Sequence, residues 1–157
     1  MMTLNSRLCL AFILVFILTI LPLPQPVMGF RPPWILLVVL YIQFYLPNYF
    51  NMTVLFILGL CIDVLLSTVI GEHAFALVLT TWFAAGKCRR INFFSIVQQM
   101  MLLMALCVIY QLVVFLIEAF CGYHNNPWTM TGAALFSMML WPWMRILGDT
   151  TLLMRRA

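Results

Sequence analysis

An all-α bundle of membrane-spanning helices is the fold this sequence predicts, on three observations. Of its 157 residues, 66% are hydrophobic and 8% charged, against about 45–50% and about 25% in a soluble domain. One water-soluble core cannot hide that excess, and the mean hydropathy of +1.11 says the same. The apolar residues fall into six runs separated by short polar or proline-rich breaks. The basic residues sit at the ends of those runs rather than on one soluble face. The net charge of +4 is therefore no nucleic-acid footprint, and lipid is the expected surrounding partner. Twelve Met and thirteen Phe add apolar bulk and imply no cofactor.

The expected spans cover about 8–24, 34–46, 52–70, 74–86, 95–120 and 128–147, in one transmembrane domain over residues 1–157. The first is apolar from Leu8 to Leu21 and is stopped by Pro22, Pro24 and Pro26. A charged start before a short apolar run also suits a cleaved signal peptide. The prolines and the missing Ala-x-Ala favour a retained anchor instead. Pro32 and Pro33 then open the second span, since N–H groups in a first helical turn have no intrahelical partner to lose. Trp34 marks an interface, Gln43 is the strongly polar group of the span, and Pro47–Asn51 turns the chain.

The third span carries Asp63 inside Leu58-Gly59-Leu60-Cys61-Ile62-Asp63-Val64-Leu65-Leu66. An ionisable side chain at membrane depth costs about 2.5–3.5 kcal/mol on insertion scales, so it faces protein and has a partner. That partner is an arginine or a set of backbone donors if Asp63 serves packing. A relay or substrate site is the sharper alternative, but no second relay group stands out nearby. Gly59 and Ser67 lie one turn to either side of Asp63 and define with it the protein-facing stripe. Gly71-Glu72-His73 is a tight connection. The fourth span holds two overlapping small-xxx-small pairs, Thr80/Ala84 and Thr81/Ala85, suited to close helix packing. Gln111 and Glu118 share a face of the fifth. In the sixth, Trp141-Pro142-Trp143 predicts a proline kink and an interfacial tryptophan belt.

Six spans place Arg7, Lys87, Arg89, Arg90, Arg155 and Arg156 on one side, with Arg145 at its boundary, and only Arg31 on the other. The excess of positive charge puts both termini in the cytoplasm. Arg31, Asp63, Glu72 and Glu118 then share the outer half of the membrane or its outer surface. An ion pair of Arg31 with Asp63 or Glu118 would tie spans two, three and five together. Five cysteines form no CxxC pair, and Cys88, within Lys87-Cys88-Arg89-Arg90, has the setting of the most reactive thiol. His73 and His124 lack zinc-ligand spacing. Glu72-His73 lacks the second histidine of a zinc protease, and no Ser–His or paired-Asp arrangement appears. Catalytic, cofactor-binding and metal residues are therefore not expected.

The run Phe30-Arg31-Pro32-Pro33-Trp34-Ile35-Leu36-Leu37, then Leu46-Pro47, Gly59, Asp63, Gly71 and Leu140-Trp141-Pro142-Trp143, resembles the MreD family of bacterial inner-membrane, rod shape-determining proteins. The resemblance covers roughly residues 30–144, and is most specific at residues 30–73 and at the Trp-Pro-Trp motif. It implies a fold like the six-helix substrate-binding subunits of energy-coupling-factor transporters. It also implies a scaffold of the cell-elongation complex for peptidoglycan synthesis, bound to MreC. Through MreC it would reach MreB, RodA and the class B penicillin-binding transpeptidase. The family's Arg-Pro falls on Arg31-Pro32, its intramembrane Asp on Asp63 and its Trp-Pro on Trp141-Pro142. The uncharged loop Asn48–Asn51 departs from relatives with basic residues there. On the scaffold reading, grooves lined by Gly59 and by Thr80–Ala85 would receive a partner's helix. The competing reading is a small-molecule-binding subunit of a transporter, which the fold allows but does not confer. Acids toward the outer edge and the lack of an inverted repeat weigh against it.

Overall fold

The computed structural model describes residues 4–20, 32–45, 51–87, 91, 93–122 and 127–148. They form six helices and, among the described residues, no strand: α1 Leu4–Ile20, α2 Trp34–Tyr45, α3 Met52–Leu66, α4 Glu72–Ala85, α5 Ile96–Phe120 and α6 Pro127–Gly148. Helix α2 is the centre. Its residues Ile35 to Ile42 are all buried, on every face of the helix. A helix apolar all round belongs in a core, and α2 packs against α1, α4 and α6. The outer helices follow in chain order, α3 on α4, α4 on α5 and α5 on α6.

Helix α5, with 25 residues, is long and apolar enough to cross a membrane. Helix α2, with 12 residues, extends about 18 Å, short of a hydrocarbon core of about 30 Å. Large apolar side chains cover the outward faces, among them Val54, Ile57 and Val64 on α3 and Val97, Met101, Leu112 and Leu116 on α5. Faces of this kind suit lipid or another protein rather than water.

Three details depart from the sequence expectation. Helix α3 ends at Leu66, not Ile70, because Ser67 takes a left-handed conformation (φ 53°) and closes the last turn through its N–H. Helix α6 is not broken at Trp141-Pro142-Trp143 but continues to Gly148 with Pro142 inside it. Trp141 is not part of an interfacial belt: its ring is fully buried against Tyr41 and Phe44 of α2, whereas Trp143 is 70% exposed. At the start of α5, Ser95 and Gln98 form a reciprocal capping box.

Candidate functional site

The polar centre of the chain is the hairpin of α3 and α4. Gly59 allows it to close. A Cβ there would overlap the Ala74 backbone, lying 2.6 Å from its nitrogen and 2.8 Å from its Cβ, so the two helices touch main chain to side chain-free main chain. One turn further along α3, the Asp63 side chain is fully buried. The connection after Leu66 then turns back through Ser67 and through Gly71, whose φ of 97° is open to glycine and strained for other residues.

This geometry delivers the start of α4 onto the Asp63 carboxylate. The Gly71 N–H donates to Oδ2 at 2.7 Å, and the His73 N–H donates to Oδ1 at 2.9 Å. His73 Nδ1 lies 3.0 Å from Oδ1. The first four N–H groups of a helix have no partner within it, and an N-cap side chain normally meets one or two. Gly71, the N-cap of α4, has no side chain to do so. Asp63 takes that role from the preceding helix, with its charge at the positive end of the α4 dipole. The partner of the buried carboxylate is thus its own hairpin. His73, where no second relay group stood out in the sequence, is the second ionisable group next to Asp63.

The His73 ring also meets the Tyr110 ring edge to face, centroids 6.2 Å apart. Tyr110 stands ten residues before the end of α5 at Phe120, or about 15 Å along its axis. The hairpin turn is therefore recessed along α5 rather than level with its end. Glu72, the first residue of α4, is 1% exposed, and its Oε1 meets no hydrogen-bond partner among the described residues. Glu118 on α5 and Asp63 both lie within electrostatic reach of it.

The remaining candidates fall elsewhere. Pro32 is buried just ahead of α2, where the Trp34 N–H donates to its carbonyl at 2.8 Å. Arg31 and Cys88 lie outside the described residues. Ser67, grouped with Gly59 and Asp63 in the sequence, is exposed. Thr80, Thr81 and Ala84 are buried, and both threonine hydroxyls donate to carbonyls of their own helix. Gly59, Thr80, Thr81 and Ala84 thus pack inside the chain, whereas Ala85, the other small residue of the expected groove, is exposed. At the far end of α5, Gln99 forms a hub that the sequence reading passed over. Its Nε2 donates to the Ile91 and Phe94 carbonyls at 3.0 and 3.1 Å, and its Oε1 accepts from Arg145 at 3.3 Å and from Trp141 Nε1 at 3.5 Å. Trp141-Pro142 is thereby a brace between α2, α5 and α6. Among the described residues no group of His, Cys, Asp or Glu is placed to hold a metal ion.

The family of the rod shape-determining protein MreD matches residues 2–150. The rod shape-determining protein MreD of Haemophilus influenzae is 29% identical over 136 residues, which cover 87% of this chain and 84% of that protein. No solved structure matches. With the match extending over all six helices, the chain belongs to the MreD family of rod shape-determining proteins.

Proposed function

We propose that this protein is a non-enzymatic membrane scaffold of the bacterial cell-elongation complex, binding MreC and sustaining lateral peptidoglycan synthesis. Membership of a rod shape-determining family carries the reading. The use of the polar groups supports it, because the Asp63 oxygens are taken up by the chain's own donors and stiffen a hairpin. All six helices cross the inner membrane on this reading, as one domain with both termini in the cytoplasm. The short α2 is sheltered by its neighbours, and local thinning of the bilayer meets the mismatch of α3 and α4. The partner's single span packs on the outward faces of helices such as α3 and α5, since Gly59, Thr80, Thr81 and Ala84 are occupied internally. MreB, RodA and the class B penicillin-binding transpeptidase are reached through MreC.

Arg31 pairs with Glu118 rather than Asp63 on this reading, because three donors already meet the Asp63 carboxylate. The exchange Arg31→Glu with Glu118→Arg is expected to restore a membrane level that either single change lowers. For the function itself, depletion is expected to round up rod-shaped cells, and purification in mild detergent to recover MreC in stoichiometric amount. Cells that keep their rod shape, or a preparation free of any single-span partner, would refute the scaffold. One observation favours the second reading, a small-molecule-binding subunit of a transporter: the polar turn is recessed along α5. Its test is recovery of a bound small molecule, or loss of uptake of one nutrient on depletion.

A further inference from the structure

We propose that Glu72 is a proton-binding site, carried as the neutral carboxylic acid in the resting protein at neutral pH. The side chain is 1% exposed, and its Oε1 has no hydrogen-bond partner among the described residues. Among the described residues, the groups that face it bring no cation: Asp63 from α3, His73 beside it on α4, and Tyr110 and Glu118 from α5. His73, the basic group near it among the described residues, is already turned to Asp63 Oδ1.

The main-chain donors next to it are committed as well. The Gly71 and His73 N–H groups go to Asp63, and the Glu72 N–H goes to the Val69 carbonyl at 3.1 Å. Among the described residues an ionised carboxylate in that position meets no counter-charge, and the Val69 N–H that reaches it leaves Oε1 unmet. A group so placed neutralises instead. Proximity of other carboxylates pushes the same way, because like charges at one site cannot all stay ionised without large cost. Uptake of one proton from the aqueous phase converts the Glu72 carboxylate to the acid and removes one negative charge. The O–H it forms is a donor in a region supplied with acceptors. The Asp63 oxygens, by contrast, are already met by the Gly71 and His73 N–H groups and the His73 ring. Loss of the Glu72 proton would set an anion beside Asp63 at the hinge of the hairpin, so proton occupancy is coupled to how firmly the turn closes.

The test uses the full chain, purified and returned to vesicles. Infrared spectra at neutral pH are expected to show a protonated-carboxyl stretching band that Glu72→Gln removes and Asp63→Asn leaves in place. Glu72→Gln has the shape and charge of the neutral acid, so it should accumulate like the wild type. A second readout needs no variant. A hydrophobic carbodiimide, which adds to protonated carboxyls, is expected to modify Glu72 and to do so less as pH rises. A wild-type spectrum with carboxylate bands and no acid band at neutral pH would overturn the proposal, as would an acid band that Glu72→Gln leaves unchanged.

Discussion

Replacing Asp63 by alanine removes the acceptor of the Gly71 and His73 N–H groups and the partner of His73 Nδ1 in one step. Both main-chain donors then lie in the first turn of α4 with nothing to meet them. A hydrogen bond to a charged group contributes about 1.5–3 kcal/mol net, and an unmet buried donor costs about 1–3 kcal/mol. The carboxylate's position at the helix N-terminus adds about 0.3–1 kcal/mol. These terms overlap, and breaking a buried charged contact of this type costs about 3–5 kcal/mol in total, which we take for Asp63→Ala. Asp63→Asn keeps one acceptor oxygen but points an NH₂ at the other donor, so about 1.5–3 kcal/mol is lost. His73→Ala leaves both main-chain bonds intact and should cost only about 1 kcal/mol. Melting of the purified protein in detergent, followed by tryptophan fluorescence, gives the ranking, and the amount in membranes gives its consequence in cells. The expected order of damage is His73→Ala, then Asp63→Asn, then Asp63→Ala. If Asp63→Leu melts and accumulates like the wild type, or His73→Ala equals Asp63→Ala, the capping argument is wrong.

Other changes test the same hairpin and its brace. Gly59→Ala pushes α3 off the Ala74 backbone and should destabilise by about 1–3 kcal/mol, with Gly59→Leu worse, in the same melting assay. Gly71→Ala forces a side chain into a left-handed conformation at a cost of about 1–2 kcal/mol. Ser67→Gly relieves the same kind of strain on the other side of the turn and should raise the melting temperature slightly. Gln99→Leu strands the Ile91 and Phe94 carbonyls and the Trp141 N–H, for about 1–3 kcal/mol. Trp141→Ala, which empties a fully buried site, should cost about 3–5 kcal/mol. Near-additive losses in the Gln99→Leu/Trp141→Ala double variant would show that the two do not act as one brace.

Helix number and order were legible in the sequence because apolar runs and prolines punctuate the chain, and α5 and α6 begin and end within a residue or two of expectation. The Ser95-Ile96-Val97-Gln98 pattern would have fixed the start of α5 as a capping box had it been used. Glycine one turn before Asp63 correctly suggested a close approach, but not which helix approaches. Hydropathy has no direction in a helix that is apolar on every side, so the small residues of α4 were as readily assigned to a partner as to the interior. The pairing of Asp63 with Gly71 and His73 was hidden for a different reason. Two of its three donors are main-chain groups, which leave no mark in residue types, and the third depends on the left-handed residue at Ser67 that shortens α3. Gln99 escaped notice because its partners lie up to 46 positions away.

The carboxylate that caps α4 belongs to the helix made before it, and this constrains how the chain can be inserted. During synthesis α3 would reach the bilayer carrying a naked charge, and α4 would follow with unmet amides at its leading end. Released one after the other, each would pay separately for entering lipid. Released as a closed pair, they bring those groups in already matched, so the translocation machinery is expected to hold residues 52–85 together and pass them sideways as a single hairpin.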